Sequence, residues 1–138
     1  MRKRLAWWEL SGFLWTAAAG TLLHFVYEWS GGSVVAAVLG AVNESVWEHM
    51  KLLVMAVMLF TAVQIWGQGH LYPNLPAVRT VSVLAGTLVI PVMYYTLTGA
   101  FGQQPTWVHI SIFFWAAAGM FLLDHKLLQR GSLRIGWM

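Results

Sequence analysis

The sequence predicts an all-α polytopic membrane protein, with four transmembrane helices plus a short re-entrant or interfacial half-helix in one membrane domain over residues 1–138. Three observations carry this. Apolar residues make up 59% of the chain and charged residues only 9%, against roughly 25% charged in soluble domains. So little charge cannot cover a water-exposed surface, which excludes a soluble globule. Four apolar stretches are each long enough to cross a bilayer, which takes about 20 residues. The basic residues gather at the ends of these stretches, the pattern of membrane topology determinants, so the net charge of +3 is no nucleic-acid signal. The chain has no cysteine, which rules out a disulfide framework and a thiolate metal site.

Met1-Arg2-Lys3-Arg4 ahead of an apolar run with Ala17-Ala18-Ala19-Gly20 has the outline of a signal peptide. Glu9 interrupts that outline, and the run continues to Tyr27, so a first span is expected over about 10–27. Residues 33–42 are apolar but cover only about half a membrane, bracketed by Gly31-Gly32 and Asn43. They are expected as the half-helix; a full crossing would invert every later segment. The second span, about 46–66, takes Asn43 as its N-cap and Glu44 in its positive first turn. The third, about 80–98, contains Pro91, which should kink the helix or free a carbonyl. Pro105-Thr106 opens the fourth, about 106–123.

With the N-terminus inside, the cytoplasmic segments hold Arg2, Lys3, Arg4, Arg79, Lys126, Arg130 and Arg134, and the outer side holds only Lys51. This predicts a multi-pass protein of the cytoplasmic (inner) membrane with both termini cytoplasmic. Trp7, Trp8, Trp29, Trp47, Trp66, Trp107 and Trp137 fall near predicted interfaces, as an aromatic belt requires. Small residues in spans one and four, Thr16 to Thr21 and Ala116 to Gly119, permit close helix approach. The likeness of Phe13-Leu14-Trp15 to Phe113-Phe114-Trp115 reflects this shared packing composition and no internal repeat.

This topology brings the polar residues to one outer level: His24 and Glu28, then Glu44, Glu48, His49 and Lys51, then Tyr94, Tyr95, Thr96 and Thr98, then Thr106 and His109. Glu9, Asp124, His70 and His125 are expected near the cytoplasmic surface, solvated or paired with lysine. His24 and Glu28, four apart, share a helix face. Glu44, Glu48 and Lys51 form a stripe continued inward by Met55 and Met58. His49 projects about 100° away from Glu48, which makes a metal shared by that adjacent pair hard to build.

Charged groups inside a membrane are expensive and invite a functional account. One reading is an ion-paired knot that pins the half-helix, Lys51 with Glu48 or Glu44 and His24 with Glu28. A second is a site that binds or passes a proton, a cation or a small polar solute, using irregular backbone as transport sites do. A third is a metal-dependent enzyme at the outer leaflet, with a divalent ion on His24, Glu28, Glu48 and His49. No HExxH or paired ExxH motif is present.

The motifs His24-Phe-Val-Tyr-Glu-Trp-Ser-Gly31, Asn43-Glu-Ser-Val-Trp-Glu-His-Met-Lys51 and Tyr95-Thr-Leu-Thr-Gly99 resemble those of a family of small, functionally uncharacterised integral-membrane proteins, found mainly in Gram-positive bacteria. The resemblance implies a four-span design with all three motifs on the outer level, and it draws Tyr95, Thr96 and Thr98 into the site. The expected function is binding or translocation of a proton, cation or small polar solute by His24, Glu28, Asn43, Glu44, Glu48, His49, Lys51, Tyr95, Thr98 and His109. The alternatives are the outer-leaflet metal enzyme and a membrane partner subunit without chemistry of its own. The expected partners are the lipid bilayer and, to enclose a substrate pocket, a second copy of the chain.

Overall fold

A computed structural model describes residues 2–131. It contains five helices and, among the described residues, no strand: α1 (Arg2–Trp29), α2 (Val34–Leu39), α3 (Val46–Gln68), α4 (Leu75–Phe101) and α5 (Thr106–Arg130). Four of them are long and apolar enough to cross a membrane. The six residues of α2 rise only about 9 Å, far short of a hydrocarbon core of about 30 Å. The all-α, four-span-plus-half-helix reading therefore holds.

Three helices run further than their apolar stretches. α1 starts at Arg2, α4 at Leu75 and α5 ends at Arg130, because backbone hydrogen bonding does not stop where hydrophobicity does. Pro76 sits in the first turn of α4, where its missing N–H costs nothing. Pro91 does not break α4, which continues past it to Phe101. Gly31 and Gly32 both take left-handed φ, +70° and +84°, and turn the chain out of α1 toward α2.

The long helices form a four-sided bundle in which α1 packs on α3 and α5, and α4 packs on α3 and α5. The first interior layers are aliphatic and aromatic: Leu53, Val57 and Phe60 of α3 meet Ile90 of α4 and Phe113, Ala117 and Phe121 of α5. Close approach of α1 to α5 depends on Gly20, where a Cβ would lie 2.5 Å from the Phe113 ring. Trp7, Trp29, Trp47, Trp66 and Trp107 are exposed, as lipid-facing anchors should be. Trp8 departs from the belt: its ring turns inward against Phe60. Trp137 and Arg134 lie outside the described residues.

The start of α1 and the end of α5 lie at one end of the bundle, called here the terminal end, where Leu5, Leu75, Val78 and Leu128 form a second small core. α2 and the α4–α5 connection lie at the other end.

Candidate functional site

The motif that spans residues 43–51 divides into three tasks. Its first is to start α3. Ser45 is the N-cap, accepting from the Glu48 backbone N–H at 3.3 Å, and Asn43 Oδ1 instead accepts from the Ser45 N–H at 2.9 Å. The cap therefore moves two residues beyond the expected Asn43. Glu44 consequently precedes the helix and leaves the stripe it was expected to share with Glu48 and Lys51.

The second task is a clamp. Lys51 Nζ lies 2.6 Å from Glu48 Oε2 and donates to the Ala37 carbonyl of α2 at 2.7 Å. The Val42 N–H donates to the same carboxylate oxygen at 3.0 Å. These bonds tie α2 and its exit to the first turn of α3. They commit Lys51 and Glu48 Oε2 to this contact, which makes the pair the knot that pins the half-helix.

The third task is a cluster of ligand-type atoms. His24 Nε2 of α1 lies 3.2 Å from Glu44 Oε1, and His49 Nε2 of α3 lies 3.8 Å from Glu44 Oε2. The two imidazoles stand edge to face, ring centroids 5.7 Å apart, and one ligand atom from each of the three residues falls within 4.8 Å of the others. His49 Nδ1 lies 2.9 Å from the Ser45 carbonyl. A carbonyl only accepts, so Nδ1 carries a hydrogen and Nε2 is the nitrogen turned toward Glu44. Glu44 is 70% exposed at the mouth of the cluster. His49 projects to the side opposite the clamp, as its angular offset from Glu48 predicts.

Two open cavities flank this cluster. One, of about 430 Å³, is lined by Glu44, His49, Tyr94, Thr106 and His109. The other, of about 290 Å³, is apolar apart from Thr21, His24, Glu44, His49 and Thr106. Tyr94 stacks on His109 at 4.9 Å between centroids, and His109 Nε2 lies 3.1 Å from the Gln104 carbonyl. By the same reasoning as for His49, its Nε2 carries a hydrogen, and its Nδ1 is buried without a partner among the described residues.

The other expected site residues stand apart. Glu28 is exposed, and its side chain makes no hydrogen bond or ion pair among the described residues; His24 turns to Glu44 instead. Tyr95 is 65% exposed and Thr96 is exposed beside it, while the preceding Tyr94 faces the cavity. The Thr98 hydroxyl is buried without a partner. Among the described residues, the side chains that come together as a group that could hold a metal ion are His24, Glu44 and His49; the expected set is His24, Glu28, Glu48 and His49.

A second polar cluster, toward the terminal end, escapes the sequence reading. Arg79, Glu9 and Asp124 are 4%, 5% and 0% exposed, so none is a solvated surface charge. Arg79 Nε lies 2.6 Å from Asp124 Oδ2, and its Nη2 donates to Gln64 Oε1 at 2.6 Å. Gln64 Nε2 donates to Glu9 Oε1 at 2.7 Å. The guanidinium lies over the Phe121 ring, 5.0 Å from its centroid. All four long helices contribute, and the reach of Arg79 joins α4 to α1 across the bundle. Its signal in the sequence is Gln64 and Gln68, four apart in an apolar span and therefore on one face, with Arg79 only four residues inside α4.

No curated protein and no solved structure matches the chain. Residues 2–132 match a family of unknown function, DUF6512, and the chain belongs to that family.

Proposed function

We propose that this is a multi-pass membrane protein whose α2-end cluster binds a divalent transition-metal ion, of the zinc class, through His24, Glu44 and His49. The observation that carries the reading is the convergence of two imidazoles and a carboxylate within 4.8 Å, drawn from two helices and the turn between them. Two nitrogens and one oxygen suit zinc, iron or manganese. The Ser45 carbonyl fixes the His49 tautomer in the way outer-shell acceptors orient metal-ligating histidines. Basic residues favour the terminal end as the cytoplasmic one: Arg2, Lys3, Arg4, Lys126 and Arg130 lie there, and the lone lysine at the α2 end is spent on Glu48 and Ala37. The metal would then be taken from the extracytoplasmic side.

A second reading follows from the 430 Å³ cavity beside the cluster. Three protein ligands leave a fourth position for water or substrate, which is the arrangement of catalytic zinc and not of structural zinc. Tyr94, Thr106 and His109 line the space onto which that position opens, so hydrolysis of a substrate at the outer leaflet is the enzymatic alternative.

Elemental analysis and calorimetric titration of the purified protein with zinc test the binding. One equivalent should bind, and binding should be lost in Glu44→Gln and His49→Ala and kept in Glu28→Gln. No uptake by the folded wild-type protein, or equal uptake by all variants, would overturn the proposal.

A further inference from the structure

The terminal-end cluster contains two carboxylates and one guanidinium, all buried, so its formal charges do not cancel. Their geometry identifies the odd member. Asp124 holds the closer place on Arg79, at 2.6 Å from Nε. Glu9 Oε2 stands 3.6 Å from Arg79 Nη2, beyond hydrogen-bond distance, because Nη2 already donates to Gln64. Gln64 satisfies only the other oxygen, Glu9 Oε1. Among the described residues Glu9 Oε2 is buried with no donor, as are both Asp124 oxygens, but Asp124 Oδ2 has the guanidinium at 2.6 Å and Glu9 Oε2 only at 3.6 Å. The groups that face Glu9 are Gln64 from α3, Arg79 from α4, and Asp124 with His125 from α5; Arg2, Lys3 and Arg4 on its own helix are exposed and make no ion pair with it.

An open cavity of about 370 Å³ lies between α1 and α5, lined by Ala6, Glu9, Phe13, Ala118, Leu122 and His125 among others. It connects Glu9 with the neighbourhood of His125, one turn from the end of α5 at Arg130. An uncompensated buried carboxylate is strongly disfavoured, and one proton on Glu9 Oε2 removes that burden and leaves the Arg79–Asp124 pair intact.

We infer that Glu9 is a proton-binding site, holding a proton on Oε2 and exchanging it with the terminal side of the membrane through the α1–α5 cavity. On release the O–H bond breaks, the proton passes to water in the cavity, and Glu9 remains as a carboxylate facing Arg79. The site is separate from the metal cluster and does not depend on it.

The test uses the full chain in liposomes and dicyclohexylcarbodiimide, an apolar reagent that adds to protonated carboxyls and leaves a mass tag. Mass mapping at neutral pH should find the tag on Glu9 and not on Asp124, with labelling falling about ten-fold per pH unit once the carboxyl ionises. Ala118→Leu, which narrows the cavity, should slow labelling while the infrared band of the protonated carboxyl persists. A tag on Asp124 in place of Glu9, labelling of Glu9 that does not fall with pH, or no tag together with no protonated-carboxyl band in the folded wild type would each overturn the inference.

Discussion

At the α2 end, His24, Glu44 and His49 approach one another with Glu44 70% exposed. Toward the terminal end, Glu9, Arg79 and Asp124 approach one another with exposures of 5% or less. The difference lies in what completes each cluster. The buried one draws its counter-charge from the chain itself, through a guanidinium that reaches from α4 to α5 and toward α1. The exposed one has no lysine or arginine paired with it among the described residues: the nearby Lys51 is committed to Glu48 and Ala37. Two imidazoles and a carboxylate then bring nitrogen and oxygen atoms within 4.8 Å of one another. Glu48 and Lys51 show the point within a single motif, since residues three apart belong to the clamp while His49, next to Glu48, belongs to the cluster.

The comparison breaks most visibly at Arg79. Arg79→Met removes the guanidinium from the buried Asp124 carboxylate, and the loss of one partner of a buried pair costs about 3–5 kcal/mol. Unfolding of the detergent-solubilised variant should show a loss of that size. Persistence of wild-type stability would mean that the cluster is open to water and not sealed by the four helices.

His49→Ala makes the opposite prediction. The metal-free variant should keep nearly the wild-type stability, because His49 lies at the edge of the core. Wild-type protein at a zinc concentration one hundred times its dissociation constant should gain about 2.7 kcal/mol, and the variant should gain nothing. A stability loss as large as that of Arg79→Met would show that the α2-end cluster also serves to hold the bundle together.

Gln64→Leu separates charge from hydrogen bonding at the buried cluster. It leaves Glu9, Arg79 and Asp124 in place and removes the amide that joins Glu9 to Arg79, so that one carboxyl oxygen loses its donor. The expected cost is about 1–3 kcal/mol, below that of Arg79→Met and measured in the same unfolding experiment. Equal losses in the two variants would make the amide, and not the charge, the organising group.

The four spans are legible because a bilayer demands a composition and a length that few other folds share, and the separation of His49 from Glu48 is legible because helical period alone dictates it. The pairing of His24 is not legible. Its i+4 neighbour Glu28 is the local choice, and Glu44 wins only because Gly31, Gly32 and α2 fold the chain back over the end of α1. The terminal-end cluster is hidden for a different reason. Arg79 beside a predicted loop looks like a topology signal, and only the extension of α4 to Leu75 turns it into an interior residue. Gln64 and Gln68 were the usable clue, since an amide pair on one face of an apolar helix marks the side that must find polar partners. Tyr94 was likewise reachable in principle: adjacent tyrosines on a helix cannot face the same way, and the resemblance favoured Tyr95.

The smallest effect should come from the clamp. In Lys51→Met, Glu48 keeps the Val42 N–H and loses its cation, while the Ala37 carbonyl loses its donor. Lys51 and Glu48 are partly shielded, with side chains 18% and 11% exposed, so solvent screening trims the ion pair and a total of about 1 kcal/mol is expected. Global unfolding should barely register this. Hydrogen exchange should, with faster exchange confined to residues 34–42, because α2 packs only on α1 and α3 and is too short to hold itself as a helix. Zinc binding should weaken only as far as loosening of α2 lets Glu44 move. If zinc affinity instead fell as far as in His49→Ala, the division of the 43–51 motif into clamp and ligand set would fail, and Lys51 would belong to the site.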